Sequence, residues 1–123
     1  MDQEKETRQQ AERSRELAQR IMRELTPAGV QVLGGSGSLE KALEKIGARM
    51  TQQAEGGALL VAEDPEWTEL PAVQCDQVLL VCADSAVLSG CAHQLAGQGF
   101  ARDFGWKTRG KAQQTALFRR SPA

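Results

Sequence analysis

The sequence predicts an α/β protein in which helices cover the faces of a layered β-sheet. Segments with helical and strand character alternate along the chain, and two of the strand candidates are the continuous apolar runs typical of strands buried on both faces. The 123 residues suffice for about one domain. No apolar run approaches the roughly 20 residues of a membrane span, and the polar N-terminus is unlike a secretory signal. We therefore expect a soluble, cytoplasmic protein without membrane contact.

Residues 3–25 are predicted to form a helix, because they contain no glycine or proline and are rich in good helix formers. Apolar side chains occur at helical spacing only in its second half. The first ten residues have no apolar face, so we expect them to be disordered, solvated or held by a partner. The chain then divides into an N-terminal helix, 1–26, and an α/β domain, 27–123. The expected apolar stripe is Ala11, Leu17, Ala18, Ile21, Met22 and Leu25.

A strand, a glycine-rich loop and a helix follow in direct succession. Residues 30–33 are β-branched and apolar, which predicts a short strand. The helix is predicted over 39–46 with Ser38 as its N-cap. The apolar residues that share one face of this helix are Leu39, Ala42, Leu43 and Ile46. The loop between strand and helix consists of Gly34, Gly35, Ser36, Gly37 and Ser38.

The rest of the chain continues the alternation and completes a sheet of about five to six strands. Asp84 and Ser85 are expected to cap the helix of this region. In order, we predict a weak strand at 49–53, a turn at Gly56 and Gly57, buried strands at 58–62 and 77–83 separated by an acidic loop or short helix, a helix over 86–96, and strands at 100–108 and 114–119, the last antiparallel.

Polar residues collect where the predicted parallel strands end. Ligands of such sheets bind outside the carboxyl ends of the strands, which places the glycine loop, Glu63, Asp64 and Asp84 at one edge. Carboxylates in a cleft suit acid–base chemistry or ligand binding. Solvated carboxylates that cap turns and helices would show the same pattern, and an N-cap role explains Asp84 well. The sequence assigns no catalytic residue and no metal site.

The cysteines and the histidine have structural explanations. Cys75, Cys82 and Cys91 are odd in number and lie in or beside apolar runs, at spacings that match no zinc pattern. We expect free, buried thiols in a reducing compartment. His93 falls within a predicted helix, away from the strand ends.

Charge is distributed unevenly along the chain. Residues 1–100 carry nine basic and fifteen acidic side chains, whereas residues 101–123 carry six basic and one acidic. Phe104, Trp106 and Phe118 lie among these basic side chains, a pattern that single-stranded nucleic acids can exploit by stacking. The same alternation suits ordinary core strands, and nucleic-acid binding is the less favoured interpretation.

The segment VQVLGGSGSLEKALEKIGARMT resembles the first strand, glycine loop and first helix of class I S-adenosylmethionine-dependent methyltransferases. The segments QVLLVCADSAVLSGCAHQLAGQGF and ARDFGWKTRGKAQQTALFRR look like a later strand and helix and the closing hairpin of that family. The resemblance implies a Rossmann-like three-layer sandwich, with a mostly parallel sheet and an antiparallel C-terminal hairpin. It also makes S-adenosylmethionine a candidate cofactor for the glycine loop. In that case Glu63, Asp64 and Asp84, which the strand ends place at the same edge, would complete the site.

The motif departs from the family pattern, acidic-x-Gly-x-Gly-x-Gly. Gly35 and Gly37 match the last two glycines, but Leu33 stands at the first glycine and Gln31 at the acidic position. Glutamines also stand where a second acidic residue would hold the cofactor ribose. The chain is short for a fold with seven strands. The resemblance therefore argues for the fold, and the departures argue against ordinary methyltransferase activity.

We therefore predict a small, non-catalytic or degenerate methyltransferase-like domain that acts as an interaction or accessory module. Its partner would be a second copy or another protein, bound through helix 3–25. One alternative is an S-adenosylmethionine-binding methyltransferase, or another small-ligand protein, that uses the glycine loop. A further alternative is nucleic-acid binding through the basic C-terminal segment.

Overall fold

A computed structural model describes residues 2–34, 37–63, 72–82, 84–107 and 114–120. The helices are α1 (Asp2–Arg20), which continues as a π-helical turn (Ile21–Leu25), α2 (Ser38–Lys45) and α3 (Ser85–Gly97). The strands are β1 (Val30–Gly34), β2 (Glu55–Glu63), β3 (Gln74–Cys82), β4 (Phe100–Lys107) and β5 (Gln114–Arg120). The predicted α/β class is confirmed.

The five strands form one mixed sheet in the order β1-β2-β3-β5-β4. β1 and β2 pair in parallel, as do β2 and β3. β5 lies antiparallel between β3 and β4. Two of these four pairings are parallel, so the sheet in the described part of the chain is only partly parallel. The predicted turn between the last two strands lies outside the described residues.

Helices pack on both faces of the sheet, because alternate residues of each central strand point to opposite sides. On one face, Leu59, Val61 and Leu79 pack with buried residues of α1 and α2. On the other, Leu60 and Leu80 belong to a core that includes one side of α3. Continuous apolar runs in β2 and β3 are the direct consequence of this two-sided burial.

The N-terminal helix packs as its apolar pattern predicts over its second half. Buried α1 and π-turn residues include Leu17, Ala18, Ile21 and Leu25. Ser14 joins them at 6% exposure, a position that the apolar pattern did not indicate. Two members of the predicted stripe differ, since Ala11 is exposed and Met22 only half-buried. The helix ends before Thr26, which adopts the left-handed conformation with φ of 39°.

Two predicted elements between α2 and β3 are wrong. Gly56 and Gly57 do not form a turn but lie within β2, which begins at Glu55 and has a register irregularity between Gly56 and Leu59. The predicted strand at 49–53 is reduced to one parallel bridge, between Met50 and Val30. In the described part of the chain, no helix combines the length and apolar character that crossing a bilayer requires.

Candidate functional site

The carboxyl ends of the parallel strands meet at one edge of the sheet. Gly34, the last residue of β1, is in register with Glu63, the last residue of β2. Glu63 is in register with Val81, and Val81 with Thr115 of β5. These four residues form a row across the sheet, which we call the edge row. Thr115, only 2% exposed, was not among the predicted site residues.

The close approach of β1 and β2 explains why position 34 is a glycine. Its φ is +77°, and a Cβ at this position would overlap the carbonyl oxygen of Glu63. Only glycine avoids both the unfavourable backbone conformation and the collision. Gly34 therefore has a structural function at the end of β1, whatever else the loop does.

The N-cap of α2 lies one residue before the predicted position. Gly37 is the N-cap of α2, with φ of 87° and no side-chain cap, and its carbonyl accepts a hydrogen bond from the Lys41 amide (3.1 Å). Ser38 is the first helical residue, so its prediction as the N-cap is wrong. No described atom lies within 4 Å of where a Gly37 Cβ would be.

The two carboxylates that the structure describes at this edge differ in environment. Glu63 is only 7% exposed and takes part in a polar interaction with the rest of the chain. Asp84 is exposed and caps α3, as predicted, by accepting a hydrogen bond from the Ala86 amide (2.8 Å). Gly35, Ser36 and Asp64 were predicted to belong to the same site and lie outside the described residues.

Gln31 has a structural partner at the position where the methyltransferase pattern has an acidic residue. Its side-chain oxygen accepts a hydrogen bond from the Ala54 amide (2.8 Å). This bond joins β1 to the segment that leads into β2. A glutamine at position 31 is therefore accounted for by the local fold.

A groove lies on the surface between α1 and α2 and has a volume of about 310 Å³. We call it the α1–α2 groove. Ile46, at the end of α2, was expected in the core with Leu39 and Leu43 but is 38% exposed. It follows the last helical turn, where the backbone has left helical geometry (φ −95°, ψ 11°). The groove is lined by Ala11, Glu12, Arg15, Ser38, Lys41, Ala42, Lys45 and Ile46.

The predicted core cysteines are confirmed as buried thiols that form no disulfide among the described residues. Burial raises the pKa of the Cys75 thiol, whose sulfur also donates a hydrogen bond to the Gln77 carbonyl (3.2 Å), and raises the pKa of Cys91. The thiolate is the nucleophilic form, so both are poor nucleophiles near neutral pH.

His93 lies exposed on α3. Among the described residues, no group of three or more His, Cys, Asp or Glu is arranged to hold a metal ion.

Two arginines of the basic C-terminal segment have partners within the fold. Arg119 forms an ion pair with Asp103 (3.1 Å), and Arg120 approaches Asp76 (3.5 Å). The Arg120 guanidinium also donates hydrogen bonds to the carbonyls of Val73 (2.8 Å) and Cys75 (3.1 Å). Part of the positive charge that suggested nucleic-acid binding is thus engaged in holding the sheet together.

Comparison of the chain with protein-family models, with curated proteins and with solved structures finds no match.

Proposed function

We propose that this chain is a small, non-catalytic binding module that docks a partner protein in the α1–α2 groove. In this proposal its α/β fold is a reduced, Rossmann-like relative of the methyltransferase fold. Parallel β1–β3 with helices on both faces support that reading, as does the antiparallel pairing of β4 with β5. The structural bonding of Gln31 supports the loss of the family's acidic position.

The observation that carries the proposal is the surface position of Ile46. Its side chain lies in a groove beside Ala11 and Ala42, and charged residues line the same groove. An apolar floor with charged neighbours is the arrangement by which grooves accept the apolar face of a helix. Full burial of an exposed side chain of this size contributes about 1.5–3 kcal/mol, and covering the 38% of Ile46 that is still exposed contributes the corresponding part of it.

The test is a titration of ¹⁵N-labelled protein with a synthetic amphipathic peptide whose polar face is uncharged. We expect chemical-shift changes at Ala42, Lys45 and Ile46, and an affinity about tenfold lower for Ile46→Asp, which corresponds to about 1.4 kcal/mol. Glu44→Ala is the matched control, because Glu44 is exposed on α2 and does not line the groove. Equal affinities for wild type and Ile46→Asp, or shifts confined to other surfaces, would contradict the proposal.

A second candidate function, small-ligand binding at the carboxyl edge, is favoured by one observation. The buried carboxylate of Glu63 lies in register with Gly34, and Gly37, three residues further along the chain, is the N-cap of α2. Free amides at a helix start and a buried carboxylate suit a polar ligand. The resemblance to methyltransferases makes S-adenosylmethionine the first ligand to test.

Calorimetric titration with S-adenosylmethionine and S-adenosylhomocysteine tests this second proposal. If Glu63 contacts the ligand, Glu63→Gln lowers affinity about tenfold or more, because hydrogen bonds to charged groups contribute about 1.5–3 kcal/mol. Glu44→Gln serves as a control for loss of one carboxylate. Absence of heat up to millimolar ligand eliminates both compounds as ligands and leaves the groove proposal unaffected.

A further inference from the structure

The α1–α2 groove carries an excess of positive charge. Among the described residues, Arg15 of α1 and Lys41 and Lys45 of α2 line it together with one carboxylate, that of Glu12. All four side chains are exposed, and within the described part of the chain none of them forms an ion pair. The three cations repel one another and outnumber the Glu12 carboxylate, so further negative charge placed among them would be attracted to the groove.

The length of α2 sets how much of a partner helix could lie along the groove. α2 has eight residues and is therefore about 12 Å long at 1.5 Å per residue. A helix lying along it would present apolar side chains over about two turns, at spacings of three and four. Its acidic side chains would flank that stripe and reach the three cations.

We infer that the occupant of the α1–α2 groove is an acidic amphipathic helix of another protein. This inference rests on the proposed function, and it adds the charge and the form of the partner segment. The apolar face of the helix would contact Ala42 and Ile46, while its carboxylates would pair with Arg15, Lys41 and Lys45. Complementary charge then accelerates association and selects among amphipathic helices that share the same apolar residues. A concave groove between two helices favours such a segment over a flat anionic membrane.

Three synthetic peptides with identical apolar positions and acidic, uncharged or basic polar faces provide the test. We expect the acidic peptide to bind wild type at least about tenfold more tightly than the uncharged one at low salt, with the difference shrinking as ionic strength rises. The double variant Lys41→Glu, Lys45→Glu is expected to reverse the order and prefer the basic peptide. Arg23→Glu, an exposed charge reversal outside the groove, is the matched control and keeps the wild-type order.

The outcomes separate this inference from the proposed function. Preference for the uncharged or basic peptide, with groove residues still shifted, overturns the inference and leaves groove docking intact. Failure of all three peptides to perturb Ala42 or Ile46 removes both. Two further measurements complete the test. Sedimentation velocity detects self-association, and binding to vesicles that contain phosphatidylserine detects association with a membrane. Self-association that is lost in Ile46→Asp would identify a second copy of the chain as the occupant of the groove. Vesicle binding that is lost in the double variant Lys41→Glu, Lys45→Glu would identify a membrane surface instead. Either result overturns the inference.

Discussion

Replacing Gly34 with alanine is expected to lower the free energy of unfolding by about 3 kcal/mol. A non-glycine residue in the left-handed region costs about 1–2 kcal/mol, and overpacking adds about 1–3 kcal/mol. The collision is with the Glu63 carbonyl oxygen, a backbone atom that cannot move without displacing β2. Urea unfolding followed by circular dichroism measures the loss directly.

Gly37→Ala is the matched control, because it shares the backbone conformation and lacks the collision. Its φ is +87°, and no described atom lies within 4 Å of the added Cβ. The expected loss is about 1 kcal/mol, since the alanine also reduces the conformational entropy of the unfolded chain. The difference between the two variants measures the close packing of β1 against β2. Equal losses of stability for the two variants would mean that the positive φ alone, without the collision, accounts for the need for glycine at position 34.

The sheet could be predicted largely because its central strands carry an unambiguous signal. Four or more consecutive apolar residues, as in 58–62, predict a strand buried on both sides, and the structure buries each of them. The beginning of β2 lacked such a signal. Gly56 and Gly57 are the residues that turns favour, yet pairing with β3 extends the strand through them.

The site at the carboxyl ends of the strands could be predicted from the sequence, whereas the α1–α2 groove could not. A strand end followed by a glycine loop indicates where ligands meet a parallel sheet, and Gly34 and Glu63 do lie there together. The α1–α2 groove depends on how two helices separated by 17 residues come to pack. Helical periodicity assigned Ile46 to the core, but the end of α2 before this residue leaves it at the surface.

Arg120→Ala is expected to destabilise the protein by about 2–3 kcal/mol. The guanidinium joins the end of β5 to the start of β3 through the carbonyls of Val73 and Cys75, and lies 4.6 Å from the centroid of the Phe100 ring. Hydrogen bonds from charged groups contribute about 1.5–3 kcal/mol, and removing this donor takes away the bonds to three carbonyls, those of Val73, Cys75 and Gln98. Arg120→Lys should recover only part of the loss, because an ammonium lacks the planar fork.

Arg119→Ala distinguishes this network from a simple loss of surface charge. Arg119 is the neighbour of Arg120 in β5, but among the described residues its one ion-pair partner is Asp103, and the two side chains are 54% and 40% exposed. Exposed ion pairs contribute about 0–1 kcal/mol, so the expected change is below 1 kcal/mol. Because both variants remove one arginine, a similar loss of stability for the two would mean that charge, and not the bonds to β3, accounts for the effect of Arg120. A large loss for Arg120→Ala alone would instead identify its side-chain hydrogen bonds as a stabilising connection between β5 and the start of β3 that adds to the pairing of the two strands.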